Sequence, residues 1–153
     1  MAKKMKTGPK AIRNKRAKFD YDLEDSIVAG IVLSGAETKS LRMGHGHLRG
    51  AYVTAKDGEL WLFNATITGF NGVKLDENQQ TRSRKLLLKK REIDKLLAEK
   101  QQGRTIVPLE LLTGGRYIKV RISAGVGKKH YDKRETIKRR DQDRANLLEL
   151  KNR

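Results

Sequence analysis

The stretch Tyr52-Val53-Thr54-Ala55-Lys56-Asp57-Gly58-Glu59-Leu60-Trp61-Leu62-Phe63-Asn64 decides the fold. Two runs rich in apolar and aromatic side chains flank Asp57-Gly58. Asp and Gly both tolerate the positive φ that a tight two-residue hairpin turn requires. The stretch therefore predicts strands over Tyr52–Lys56 and residues 59–64. Trp61 and Phe63 stand at i, i+2 and are read as a core-facing row. Thr113-Gly114-Gly115 predicts a second hairpin, between Thr105–Leu112 and residues 116–122. Pro108 has no N–H to donate, which places its strand at an edge or a bulge.

Outward from these hairpins the pattern continues. Residues 26–33 (SIVAGIVL) are β-branched and predict a strand, with Gly30 at a bend. Ser34 followed by Glu37 is a capping-box spacing and opens a helix over residues 36–43, with Leu41 toward the core. Gly44, Gly46 and Gly50 mark a loop. Residues 65–70 continue the strands, 71–80 form a polar mobile loop, and 85–88 form a short strand. Ile93, Leu96, Leu97 and Lys100 trace one stripe of a helix over residues 89–102, stopped by Gly103. Six or seven short antiparallel strands with two or three flanking helices make a mainly β protein. Closure removes unpaired edges, so a small oligonucleotide-binding-like barrel is expected.

Charge divides the chain further. Its 153 residues hold 35 Lys+Arg against 18 Asp+Glu, a net charge of +17. Residues 1–18 carry eight basic side chains and no acid, and residues 81–91 carry six and no acid. Residues 126–153 carry ten basic and five acidic side chains, while the other 96 residues are close to neutral. The reading is a flexible basic arm (1–18), a barrel body (19–125) and a basic tail (126–153). The tail has no wide apolar face, so it is expected to be disordered alone and helical against a partner. Segregated charge costs self-repulsion and points to a polyanion. Phe19 and Tyr21 after the arm, and Tyr131 within the tail, supply rings on which unstacked bases could rest.

Other chemistry finds no support. With no cysteine, a disulfide scaffold, a thiolate zinc site and a cysteine nucleophile are excluded. His45-x-His47 offers two imidazoles with no further ligand at suitable spacing, and is read as an exposed loop. No paired carboxylates, nucleophile elbow or phosphate-cradling glycine loop occurs, and Gly125–Lys129 is only a weak look-alike. The expectation is no catalytic residue, no metal and no cofactor. The longest apolar runs reach four residues, too few for a membrane span, and no apolar stretch follows the basic start as in a secretory signal.

An ordered series of strings carries a resemblance. These are Asn14-Lys15-Arg16-Ala17, Ala29-Gly30-Ile31-Val32-Leu33 and Glu37-Thr38-Lys39-Ser40-Leu41-Arg42. Lys56-Asp57-Gly58-Glu59, Arg84-Lys85-Leu86-Leu87-Leu88 and Lys90-Arg91-Glu92-Ile93-Asp94 follow. Gly127-Lys128-Lys129 and Tyr131-Asp132-Lys133-Arg134-Glu135-Thr136-Ile137-Lys138 close the series. In this order and spacing, over about residues 12–145, the chain resembles the SsrA-binding protein (small protein B) family.

The resemblance implies an oligonucleotide-binding-like barrel. It also implies a cytoplasmic RNA-binding protein, monomeric on its RNA, that binds the tRNA-like domain of transfer-messenger RNA. Such a protein delivers that RNA to stalled ribosomes for peptide tagging. The resemblance places Asn14, Leu87 and Lys119 at positions used for the RNA, with Lys15, Arg16, Lys39, Arg42, Arg84 and Lys85 on or near that surface. It assigns Gly127, Lys128, Lys129, Tyr131, Asp132, Lys133, Arg134 and Lys138 to the small-subunit decoding centre and empty mRNA channel. Two positions depart from the family pattern: Val28 stands where a glutamate is frequent, and Val126 where a basic residue is common. Two alternatives stay open at this point, a ribosomal or initiation-type RNA-binding barrel and an RNA-processing enzyme.

Overall fold

The computed structural model describes residues 11–69, 72 and 74–152, with backbone only at residues 130–132. The deciding hairpin forms as expected. Strands β4 (Tyr52–Lys56) and β5 (Glu59–Phe63) pair with Lys56 opposite Glu59, and Asp57 and Gly58 turn the chain at φ 54° and 76°. Ahead of them lie β1 (Ala11–Arg13), α1 (Ala17–Asp20), β2 (Tyr21–Ile31), α2 (Gly35–Arg42) and β3 (Gly46–His47). After them come β6 (Thr66–Ile67), α3 (Glu77–Gln80), β7 (Arg84–Leu87) and α4 (Lys90–Gln101). β8 (Thr105–Leu112), β9 (Lys119–Gly127) and α5 (His130–Lys151) complete the chain.

The main sheet runs β1-β8-β4-β5-β7-β2-β9, and β8 also pairs with β9. Six strands therefore close into a ring, with β1 added outside β8. Closure is uneven. β4 meets β8 through a single paired position, Val53 with Ile106, whereas β2 and β8 each pair with β9 over most of its length. Leu60, Leu62, Ile106, Val120, Ile122 and Ala124 fill the ring, and Leu41 of α2 and Leu96 of α4 plug it. Each fully buried leucine or isoleucine contributes about 1.5–3 kcal/mol through lost water contact.

Helix α2 opens with the expected box: the Glu37 amide donates to Ser34 Oγ at 3.2 Å, and the Ser34 amide to Glu37 Oε1 at 3.0 Å. The β8–β9 register slips between Pro108 and Glu110, the bulge that Pro108 predicted. The second hairpin differs in length, because β9 starts at Lys119 and runs on to Gly127. Part of the polar loop 71–80 is the short helix α3, held by a capping box at Asp76.

Three further differences matter for the site. Residues 11–13, expected in a flexible arm, pair with β8 as Ala11–Leu112, Ile12–Leu111 and Arg13–Glu110, and Ala17 is buried. The exposed row of β8 beyond β4 supplied unpaired backbone groups that β1 satisfies. Residues 1–10 of the arm lie outside the described residues. Trp61 and Phe63, expected in the core, stand half-buried on the outer face, while Leu60 and Leu62 point inward. The alternation is present with the opposite phase. The tail, expected to be disordered alone and helical against a partner, is the 22-residue helix α5. Lys133 pairs with Asp20 at 3.2 Å, and Lys133 and Arg140, two turns apart, both stand over the Phe19 ring. From Asp141 onward every described side chain is exposed.

Candidate nucleic-acid interface

Register builds the site. Gly30 of β2 lies opposite Leu87 of β7 on one side and Lys119 of β9 on the other. Lys119 lies opposite Leu112, and Leu112 opposite Ala11. Side chains directly across an antiparallel pair share a face. Leu87 and Lys119 therefore both point outward, Leu87 with 53% of its surface exposed, and flank a residue that has no side chain. The glycine is needed there, because a Cβ on Gly30 would stand 3.1 Å from Leu87 Cβ. Val28 of β2 and Val32, the residue after its end, continue this face and are 41% and 45% exposed. Lys85, two residue pairs from this row and on the same face, forms a surface ion pair with Glu59 at 2.6 Å. An exposed leucine and two exposed valines among lysines are unusual for a solvated strand face and fit an interface.

Arg84 does not belong to this surface. It was expected on or near the RNA, yet its side chain is 0% exposed. In β7, Arg84 and Leu86 face inward while Lys85 and Leu87 face outward, so the apolar residue is outside and the arginine inside. The guanidinium fills its valence there. Nε donates to Glu37 Oε2, Nη1 to the Ala65 and Arg82 carbonyls, and Nη2 to the Gln79 and Gln80 carbonyls. Arg82 donates to the other Glu37 oxygen. Burial pushes the Glu37 carboxyl up, but hydrogen bonds from Arg82, the Ser34 amide and Arg84 outweigh it and hold the group below its ordinary value. Burial lowers the Arg84 value and Glu37 opposes that fall. The pair ties α2 to β7 and the polar segment before it.

Arg42 also has a structural task. Its guanidinium donates to the carbonyls of Thr113, Gly115 and Arg116, at 3.2, 2.9 and 2.7 Å. It thereby fixes the loop that leads into Lys119. Lys39, three residues before it on α2 and so within one turn, is exposed. Asn14 is anchored too: its amide donates to Leu109 O at 2.7 Å and its side chain to Pro108 O at 2.9 Å. That anchor presents exposed Lys15 and Arg16 at the rim of a cleft of about 850 Å³, which Arg13, His47 and Arg49 also line. His45 and His47 are exposed, and the described residues contain no cluster of three or more metal-type ligands.

The tail residues divide. Gly127 ends β9 opposite Tyr21, and the Lys128 amide donates to Asp20 O at 2.8 Å. Lys129 is the exposed residue before α5, and Arg134 and Lys138 are exposed along it. Lys133 faces α1 through Asp20 and Phe19. The side chains of Tyr131 and Asp132 lie outside the described residues. No helix among the described residues is long and apolar enough to cross a membrane.

Known proteins resemble this chain over most of its length. The family model described as SmpB protein matches residues 11–152. The SsrA-binding protein of Acholeplasma laidlawii is 44% identical over 140 residues, covering 91% of this chain and 94% of its own. That of Streptococcus agalactiae is 45% identical over 141 residues, covering 92% and 91%. A chain in the solved structure described as "tmRNA-SmpB: a journey to the center of the bacterial ribosome" superposes with a TM-score of 0.67 at 36% identity. That match covers 84% of this chain and 95% of the other.

Proposed function

The chain belongs to the SmpB protein family, and from that premise we propose that it binds the tRNA-like domain of transfer-messenger RNA and carries it to stalled ribosomes for trans-translation. It is an RNA-binding protein, not an enzyme, and its partners are that RNA and the ribosome. Its place of action is the cytoplasm, where ribosomes stall, and one copy serves one RNA.

In this reading the outer face around Gly30 receives the RNA. A folded RNA hides its base edges in a deep groove, so recognition relies on backbone, 2′-hydroxyls and shape. Lys119 and Lys85 supply charge, Leu87 gives a dry contact, and Arg42 positions the Lys119 loop. Lys15, Arg16 and Lys39 add phosphate contacts, and Asn14 holds the first two in place. The observation that carries the reading is Leu87 and Lys119 facing outward across Gly30.

The tail acts on the ribosome. Twenty-two helical residues span about 33 Å, and the distal part presents cations along an exposed rod. Gly127, Lys128 and Lys129 set where the rod leaves the barrel. Asp132, Lys133, Arg134 and Lys138 meet the decoding centre and the vacant mRNA channel, and the Tyr131 ring stacks on a ribosomal base. A channel filled with message excludes the rod by volume, so the tail senses vacancy.

Recovering and sequencing the RNA bound to the tagged protein tests the reading. One dominant RNA with a tRNA-like end is expected. A mixture dominated by ribosomal RNA from idle ribosomes would favour a ribosomal or initiation-type protein instead.

A further inference from the structure

The β4–β5 hairpin carries a second surface, which borders the proposed RNA contacts at Lys85. On its outer face Tyr52 lies opposite Phe63, and their rings stack at 5.4 Å and 8°. Two residue pairs along, and so on the same face, Trp61 lies between Thr54 and Lys85. Lys56 Nζ stands 6.0 Å from the centre of the Trp61 ring. Lys100 of α4 donates to Thr54, bringing a further ammonium to the rim. Glu59 is the carboxylate of this face, and Lys85 engages it. Tyr52 is 41% exposed, and Trp61 and Phe63 are half-buried.

Three of the chain's eight aromatic residues thus stand outside the barrel, on one face, rimmed by cations. A strand face kept merely solvated has no use for them. Aromatic planes beside lysines match a single-stranded nucleic acid, whose bases each offer a flat face and whose backbone is anionic. Alternate residues on a strand lie about 7 Å apart, a spacing that suits bases of a stretched chain and not of a stacked duplex. A base reaching Trp61 displaces the Lys56 ammonium from the indole onto the neighbouring phosphate, so the cation exchanges one partner for a stronger one.

We infer that the outer face of the β4–β5 hairpin is a stacking platform for an unpaired stretch of RNA, separate from the surface that receives the folded tRNA-like domain. The inference rests on the RNA-binding reading above, and its test separates the two. The probe is a fluorescently labelled uridine octamer, which forms no helix. Trp61 is the single tryptophan of the chain, so its emission reports on this face alone.

The full-length protein is expected to quench Trp61 emission in step with the rise in octamer anisotropy. Tyr52→Ala and Trp61→Ala should each weaken octamer binding about tenfold, the equivalent of about one stacked base. Trp61→Phe, which keeps a ring and the fold, should bind like the parent by anisotropy. All three variants should hold the tRNA-like domain as the parent does. Rising anisotropy without quenching would place the octamer on the basic termini and overturn the inference. So would equal octamer binding by Tyr52→Ala, or equal quenching by heparin, a polyanion without bases. Loss of the tRNA-like domain by the unmodified protein would instead sink the reading of function.

Discussion

Glu37 and Arg84 form an ion pair inside the barrel wall, with 1% and 0% of their side chains exposed. They come from α2 and β7, and every guanidinium nitrogen of Arg84 has an acceptor. Removing one member of such a pair strands the other charge.

Arg84→Met should therefore destabilise the fold by about 3–5 kcal/mol, measured by urea unfolding. Arg84→Lys should recover little, since one ammonium cannot reach carbonyls on opposite sides. Lys85→Ala, next in sequence but facing outward, should leave the urea midpoint near that of the parent and weaken RNA binding. If Arg84→Met kept parental stability and lost RNA, the assignment of Arg84 to the interior would be wrong.

The same pair predicts an acid limb. The Glu37 carboxyl titrates lower in the folded chain than in the unfolded one. Folding thus favours the ionised form. The stabilisation is complete above the ordinary carboxylate range and is lost as pH falls through the folded value. Thermal melts followed by circular dichroism from pH 7 to pH 3 should show the loss. Glu37→Gln should start less stable and show a shallower acid decline.

On the outer face, Lys119→Ala should weaken binding of the tRNA-like domain and lower the slope of log affinity against log salt by about 0.7–0.9, one phosphate contact. Gly30→Val should also weaken binding, without changing that slope, because it displaces Leu87 and fills the space between Leu87 and Lys119. Affinity titrations over a salt series read both. A parental affinity in Gly30→Val would remove this face from the interface.

Val28 lies directly opposite Arg121, whose Nε is buried without a hydrogen-bond partner and whose Nη1 pairs with Glu110 at 3.1 Å. Val28→Glu should give Arg121 a second carboxylate. The expected gain in stability is at most about 1 kcal/mol, as for other partly exposed pairs. It should appear as a rise in the urea midpoint that vanishes in Val28→Glu, Arg121→Ala. A gain that persists in the double variant would contradict the pairing.

Truncation after Lys128 keeps the whole β2–β9 ladder and removes α5. RNA binding should stay near the parental value while tagging of peptides on stalled ribosomes is abolished. Within α5, Tyr131→Ala should harm tagging more than Tyr131→Phe. Parallel loss of both activities on truncation would contradict the division between body and tail.

Much of this architecture was legible locally. The Asp57-Gly58 turn, the Ser34–Glu37 box, the α4 stripe and the Pro108 bulge each depend on residues within a few positions of one another. Four features were not legible, for one shared reason. Arg84 is buried because its acceptors lie on Glu37, 47 residues away, and on Ala65, 19 residues away. Ala11–Arg13 join the sheet because β8 offers a vacant edge at residues 110–112. Trp61 faces outward because Leu60 and Leu62 occupy the interior and alternate residues of a strand face opposite ways. The tail is helical where α1 holds its first turns. The outward direction of Leu87 is likewise not legible, since a leucine within an apolar triplet carries no local sign of which way it faces.

The lone Val53–Ile106 bridge leaves the ring with a slit between two unequal halves. β2, β8 and β9 form a continuous ribbon, whereas β4, β5 and β7 hang from it at β7 and at that one bridge. Strain imposed from outside will not spread evenly around such a cylinder. It will gather where the pairing is thinnest, at Val53 and Ile106.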